Sequence, residues 1–278
     1  MQVKVSIIVA CYNQSQYLDD CLNSVINQSY AEWECIIVND GSNDETDELA
    51  NKWVNRDNRF RYFEKKNGGV SSARNFGIKQ SSGKYILPLD GDDYIHEDYI
   101  EVSIRTIESN PEISLVYSLV EKFGLENYQW NLGKYAYQKL LVGNLIFSTA
   151  LFKREDFDKT SGYDESMKDG LEDWEFWIRL LNEDSKVFQI QKLYFFYRIK
   201  AQSKNRITPE MIEKIKLFIY LKHIDTYTKY FKSPISILEE NSNLKSMYKM
   251  SLDYKFGHLL INPFRRILKK IILLKFRN

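Results

Sequence analysis

Only three of the 278 residues are cysteine (Cys11, Cys21 and Cys35), and all lie near the start of the chain. The number is odd and the spacing suits no zinc site. They read as reduced structural cysteines of a cytosolic protein. Neither sign of charge is in excess. Lys and Arg total 39 against 38 Asp and Glu, a formal net charge of +1, so no global field argues for nucleic acid as a partner. No stretch approaches the ~20 apolar residues that a transmembrane helix needs. The opening MQVKVSIIVACYNQS has a short β-branched run with no small-residue cleavage site, unlike a signal peptide. Membrane contact, where it occurs, is expected from the surface. Internal repeats and low-complexity tracts are also lacking. With 44% hydrophobic residues, what remains is a globular chain with a sizeable core, either one large domain or two modest ones.

The first ~125 residues alternate in period. VKVSIIVACY (3–12), WECIIVND (33–40), RFRYFEK (59–65), YILPL (85–89) and ISLVYSLVEKF (113–123) read as strands, the β-branched ones suited to burial on both faces. Between them QYLDDCLNSVINQ, GSNDETDELANKWV, NGGVSSARNFGIKQ and EDYIEVSIRTIESN read as helices. Ser42 and Glu45 have the spacing of a capping box. The alternation predicts a parallel sheet covered on both faces, with ligands at the carboxyl ends of its strands. From 126 to 205 the pattern loosens. A helix is expected near 135–141, a strand at NLIFSTALF, a helix at DWEFWIRLLNE and short strands near 187–198. Beyond about 206 the chain turns helical and basic, with one long helix over 209–231, Thr208 as N-cap and Pro209 first.

Acids stand where this architecture puts ligands. ILPLDGDDY (86–94) runs an apolar strand into Asp90, Asp92 and Asp93. Crowded carboxylates repel, and a divalent cation, Mg²⁺ or Mn²⁺, relieves them. Gly91 lets the turn tighten and a ligand approach. The plainer alternative is an acidic turn with Asp93 capping the next helix. Asp40 follows the second strand, where its carboxylate can accept from a base N–H. The alternative there is a simple turn with Ser42 as N-cap. Arg74 sits early in a helix, to bind phosphate or orient Asp40, or as an ordinary surface arginine. Glu172 and Asp173 open an apolar helix, either as simple capping acids or as a general base. Trp174 and Trp177 beside them wall a sugar site or belong to the core.

In this order, the segments VSIIVACYNQSQYLDDCLNSVINQSYAEWECIIVNDGSND, NGGVSSARNFGI, YILPLDGDD, GYDESM and GLEDWEFWIRL resemble family 2 glycosyltransferases over roughly residues 3–180. The resemblance implies the α/β GT-A (nucleotide-diphospho-sugar transferase) fold, a Rossmann-like, mostly parallel sheet with helices on both faces. The catalytic domain would span 1–205, with a nucleotide-binding half to about 125 and an acceptor half over 126–205. A helical, basic extension would follow over 206–278. It also implies roles. Backbone around Ala10, Tyr12 and Asn13 lines the nucleotide pocket, and Asp40 reads the uracil of a UDP-sugar donor. Arg74 and Asn75 brace the pocket. Asp90 faces the ribose, with Gly91 in its turn, and Asp92 binds the metal. Asp173 is the base of an inverting transfer, with Glu172 beside it supporting the acceptor or the base. The acceptor is expected to be a glycan or lipid-linked oligosaccharide in surface polysaccharide synthesis.

One departure stands out. Many relatives carry a metal-ligating histidine after YR, where FFYRIKAQSKNR has Lys200. A charged ammonium cannot ligate, so a more loosely held metal is expected, with Lys200 on the diphosphate. His96, His223 and His258 offer no obvious substitute. The last segment, NPFRRILKKIILLKFRN, sets Ile267, Ile271 and Leu274 on one stripe against Arg265, Arg266, Lys269, Lys270, Lys275 and Arg277. It reads as an amphipathic helix over 263–278 for the anionic inner face of a membrane, or as a terminal helix docked on the domain. Two other functions fit the residues less well. A nucleotidyltransferase normally brings a glycine-rich basic loop, which ACYNQSQY is not. A non-catalytic sugar-nucleotide module would have lost the base, whereas Asp173 is present. Donor sugar, linkage and oligomeric state are not legible; the irregular region around 126–170 sets the first two.

Overall fold

The computed structural model describes residues 4–200 and 208–251. The chain divides into two compact units, Met1–Leu221 and Lys222–Asn278. The first opens with β1 (Val5–Cys11), α1 (Ser15–Ile26), β2 (Trp33–Asn39), α2 (Thr46–Arg56), β3 (Phe60–Glu64), α3 (Val70–Gln80) and β4 (Tyr85–Asp90). It continues with β5 (Tyr94–Ile95), α4 (Tyr99–Ser109), β6 (Ile113–Gly124), β7 (Tyr128–Trp130), α5 (Tyr137–Leu140), β8 (Leu151–Lys153), α6 (Arg154–Phe157), α7 (Glu172–Leu180) and β9 (Lys186–Ile199). Then come α8 (Pro209–Lys222), α9 (Ile224–Tyr230) and α10 (Pro234–Met250).

The described strands form one sheet in the order β3-β2-β1-β4-β8-β6-β9-β5, with β7 beside β6. β1 is parallel to both β2 and β4, and β2 is parallel to β3. The chain winds outward from β1 through β2 to β3, then returns to β4 on the other side. That reversal puts a crevice at the carboxyl ends of β1 and β4. The alternation predicts that the fifth strand extends this parallel set. Instead the short β8 intervenes, antiparallel to both β4 and β6, and β6 pairs parallel with β9. β8 reaches only Tyr85 and Ile86 of β4. Pro88 lies beyond that pairing, where a strand tolerates a residue with no amide hydrogen.

β1 and β2 are buried along their whole lengths. Val5, Ile7, Val9 and Cys11 share one core with Leu18, Cys21, Leu22 and Val25 of α1, with Trp53 of α2, and with Tyr99 and Ile100 of α4. The other face receives α3. A Cβ on Gly77 would lie 2.6 Å from Cγ2 of Ile8 and 3.0 Å from that of Val38, so only glycine lets this helix approach so closely. The three cysteines are free and buried.

Four local expectations are corrected. The short strands expected near 187–198 are one long strand, β9. Ser42 does not cap α2, which begins at Thr46. Asp44 serves that turn instead, its Oδ1 accepting from the Thr46 amide and hydroxyl. NLIFSTALF is strand only from Leu151. The expected single helix over 209–231 is two, broken at His223, although Thr208 does accept from the Met211 amide. Among the described residues no helix is long and apolar enough to cross a membrane. The expected amphipathic segment 263–278 lies outside the described residues.

Candidate active site

The crevice is assembled from strand ends. Ala10, at the end of β1, accepts from the amide of Gly91 (3.0 Å), and Cys11 accepts from the amide of Asp40 (2.9 Å). The acidic turn after β4 and the turn after β2 are thus both hung on β1. Asn13 follows with φ of +53°, a left-handed conformation that asparagine tolerates better than most residues. It stitches two loops together: its amide donates to Ser42 Oγ (2.9 Å), and its Oδ1 accepts from the Asn43 amide (2.7 Å). Tyr12 stands between these anchored residues. Gly91 has no left-handed φ. It is required because a Cβ would lie 2.6 Å from Gln14 Oε1 and 2.9 Å from Cys11 Cβ.

Asp40 is 3% exposed and already engaged. Lys65 Nζ donates to Oδ1 (2.7 Å), the Gly68 amide reaches Oδ1 (3.0 Å), and the Gly69 amide donates to Oδ2 (2.7 Å). As placed, Asp40 organises the glycine turn that leads into α3. A base N–H would have to take the place of one of these donors. Lys65 was not anticipated from sequence.

Arg74 is neither a surface residue nor a partner of Asp40. It is 1% exposed and bridges two acids, Nη2 donating to Asp90 Oδ1 and Nη1 to Glu172 Oε1, both at 2.8 Å. Two carboxylates offset the burial of one guanidinium and hold it charged. The neighbouring Asn75 turns the other way. Its Nδ2 donates to the Tyr163 carbonyl (2.9 Å) and its Oδ1 accepts from the Tyr163 amide (2.8 Å). Its amide therefore braces the loop that leads to α7.

The turn at Asp90–Asp93 is gripped from β9. The Arg198 amide donates to Asp93 Oδ1 (2.8 Å), Arg198 Nε donates to the Asp92 carbonyl (2.8 Å), and Lys200 forms an ion pair with Asp92. Asp93 is 1% exposed and caps no helix. Burial, then the charges of Asp92 and Asp90, push its carboxyl well up. Asp92 is also raised, by burial first, although Lys200 pulls the other way. Among the described residues no three His, Cys, Asp or Glu side chains could enclose a metal ion. One buried oxygen beside Asp92, Asp93 Oδ2, has no hydrogen-bond partner. This donor set fits a hard cation that takes its remaining oxygens from a ligand, as Mg²⁺ and Mn²⁺ do. It does not form a cage.

Across the site, α7 begins on a strained residue. Leu171 has φ of +60°, costly for a side chain of its size, and it delivers Glu172 and Asp173 at the first turn. Asp173 Oδ1 accepts from the Trp174 amide (2.7 Å) and Oδ2 from Asn144 Nδ2 (2.9 Å). Burial first, then the charge of Glu172, pushes the Asp173 carboxyl up to about 7; Arg74, the Trp174 amide and Asn144 pull the other way. Asn144 is a second residue that the sequence did not single out. Its amide is oriented because Oδ1 accepts from Ile146 N (3.3 Å). Trp174 and Trp177 are core residues, 3% and 0% exposed. Their indole N–H groups donate to the carbonyls of Leu140 (2.5 Å) and Ile146 (3.1 Å). They thereby pin both ends of the segment that carries Asn144.

Comparison with known proteins gives the family and the fold. The model of glycosyl transferase family 2 matches residues 6–168. Glycosyltransferase GlyA of Streptococcus pneumoniae is 33% identical over 224 residues, 74% of this chain and 32% of that protein. The chain thus spans about a third of the length of that curated relative. Among solved structures, S. aureus TarS 1–349 in complex with UDP has a TM-score of 0.66 at 20% identity, over 79% of this chain and 65% of that one. Mannosyltransferase PcManGT of Pyrobaculum calidifontis, in complex with GDP-Man and Mn²⁺, has a TM-score of 0.59 at 14% identity, over 92% and 83%. These likenesses show the GT-A fold.

Proposed function

The chain belongs to glycosyl transferase family 2, and from that premise we propose that it transfers a sugar from a UDP-sugar to an acceptor hydroxyl with inversion. The observation that carries this reading is the buried relay Asp90–Arg74–Glu172. It ties the donor turn to the helix start that presents Asp173.

The nucleotide would lie across the ends of β1, β2 and β4. Tyr12 and Asn13 line it, the loop organised by Asp40 holds the base, and Asp90 meets the ribose. Asp173 accepts the proton of the acceptor hydroxyl as that oxygen bonds to the anomeric carbon. The bond from that carbon to the diphosphate oxygen breaks on the opposite face, and UDP departs. A divalent cation held by Asp92 would neutralise charge on the departing diphosphate. A base with its pKa near 7 is matched to neutral pH, so the rate should rise through about pH 7 and level off above it. The acceptor class proposed is a glycan or a lipid-linked oligosaccharide. UDP in the complex of the TarS neighbour supports the donor class. The complex of PcManGT with GDP-Man makes GDP the necessary control.

Calorimetry with UDP, GDP and CMP, with and without Mn²⁺, tests the donor; equal affinity for all three would remove the uridine reading. Asp173→Asn should keep UDP affinity within about threefold and lose at least ~100-fold in sugar transfer or slow donor hydrolysis. Retained transfer would remove Asp173 as the base.

A further inference from the structure

Lys200 ends the described part of β9's path, and its ammonium is in direct contact with Asp92. Chain geometry fixes this pair. The Arg198 amide and Nε bind Asp93 Oδ1 and the Asp92 carbonyl at 2.8 Å each, so the strand end is locked onto the acidic turn two residues before Lys200. Both side chains are largely enclosed, 20% exposed for Lys200 and 14% for Asp92. The ring of Tyr17 lies 5.3 Å from Nζ. A protonated lysine has no lone pair for a metal. An ammonium and a divalent cation on the same carboxylate repel each other strongly at this depth. The carboxylate that would hold a metal therefore already holds a cation of the chain's own.

We propose that Lys200 is a resident counter-cation that makes divalent-cation binding conditional on the donor. With the pocket free of diphosphate, the ammonium keeps Asp92. When a diphosphate arrives, its oxygens offer the ammonium a second anion within the sweep of its flexible four-carbon stem, and Asp92 is released to the metal. The identity of the diphosphate rests on the donor reading above. The suppression of metal binding by Lys200 does not. Coupling of this kind is reciprocal: the factor by which UDP tightens Mn²⁺ equals the factor by which Mn²⁺ tightens UDP.

The test titrates Mn²⁺ alone into the full chain, following free Mn²⁺ by electron paramagnetic resonance. Lys200→Ala, Lys200→Met and wild type are compared, with Asp92→Asn subtracted to remove other sites. Thermal melts identify folded variants, and the methionine keeps the packing of the stem. The expected result is a wild type indistinguishable from Asp92→Asn and variants that bind one Mn²⁺ at least tenfold tighter. Folded variants that bind Mn²⁺ no better than wild type overturn the proposal. A second arm titrates UDP with and without Mn²⁺. Wild type should show coupling at least tenfold greater than Lys200→Met, which keeps only the direct attraction between metal and diphosphate; equal coupling in both also overturns it. If UDP binds no form, the donor reading fails while the nucleotide-free arm still decides the role of Lys200.

Discussion

Arg74 shows how a single side chain can be misjudged from sequence. Its place on a helix suggested a surface arginine or a partner for Asp40. Its real partners lie at Asp90 and at Glu172, 98 residues further along, and no local pattern links them. Arg74→Met should leave two acids without their counter-charge, at a cost of about 3–5 kcal/mol in urea unfolding. Arg74→Lys should not rescue it, since one ammonium cannot serve as a fork. Asp173 allows a sharper test. Its folded pKa stands above its ordinary value, so the native state holds a proton that the unfolded chain releases, and this contribution to stability is lost as pH rises through about 7. The melting point of Asp173→Asn should therefore gain on wild type between pH 5 and pH 8, by about 2–4 °C for each ~1 kcal/mol recovered. Asn144→Ala removes a donor to the carboxylate. It should move the rising limb of the pH–rate profile to higher pH, with activity recovered in alkaline buffer. Asp173 and Asp92 were legible because strand ends and helix starts are where acids gather; Asn144 and Lys65 were not, being set by partners distant in sequence.

At the level of elements, the β-branched runs of β1 and β2 and the apolar run of β4 announced themselves because strands buried on both faces carry no polar alternation. Failures came where a tertiary hydrogen bond outweighed a local pattern. Ser42 had capping spacing, but the Asn13 amide claims its hydroxyl. NLIFSTALF had the composition of a strand, but two indole N–H groups hold Leu140 and Ile146 against α7. The break at His223 has no proline or glycine to signal it. The packing of α3 is as exacting as any strand. Gly77→Val would drive side-chain carbon into Ile8 and Val38, and should cost about 1–3 kcal/mol, read as a lower urea midpoint with an unchanged slope.

For the whole molecule, the parallel half of the sheet was readable and its join to the rest was not, because three residues of β8 decide where β6 lies. All the candidate site residues fall within Met1–Leu221. A chain ending after Lys222, which keeps α8 entire, should melt cooperatively and bind UDP within about threefold of the full chain. Loss of cooperativity would show that the later residues complete the fold.

Consecutive residues of α3 hold the two ends of one loop: Asn75 clasps Tyr163 through its backbone, and Arg74 fastens Glu172. The stretch from 164 to 171 between these moorings is also held within, since Glu165 accepts from Asn75 Nδ2 (3.1 Å) and Met167 is buried. Its exposed positions 165, 166, 168 and 169 can vary while Asp173 stays in register, so grafting them from a relative should change the choice of acceptor without altering nucleotide affinity. Diversification of products in such a lineage would then proceed by exchanging a short insert, with the engine untouched.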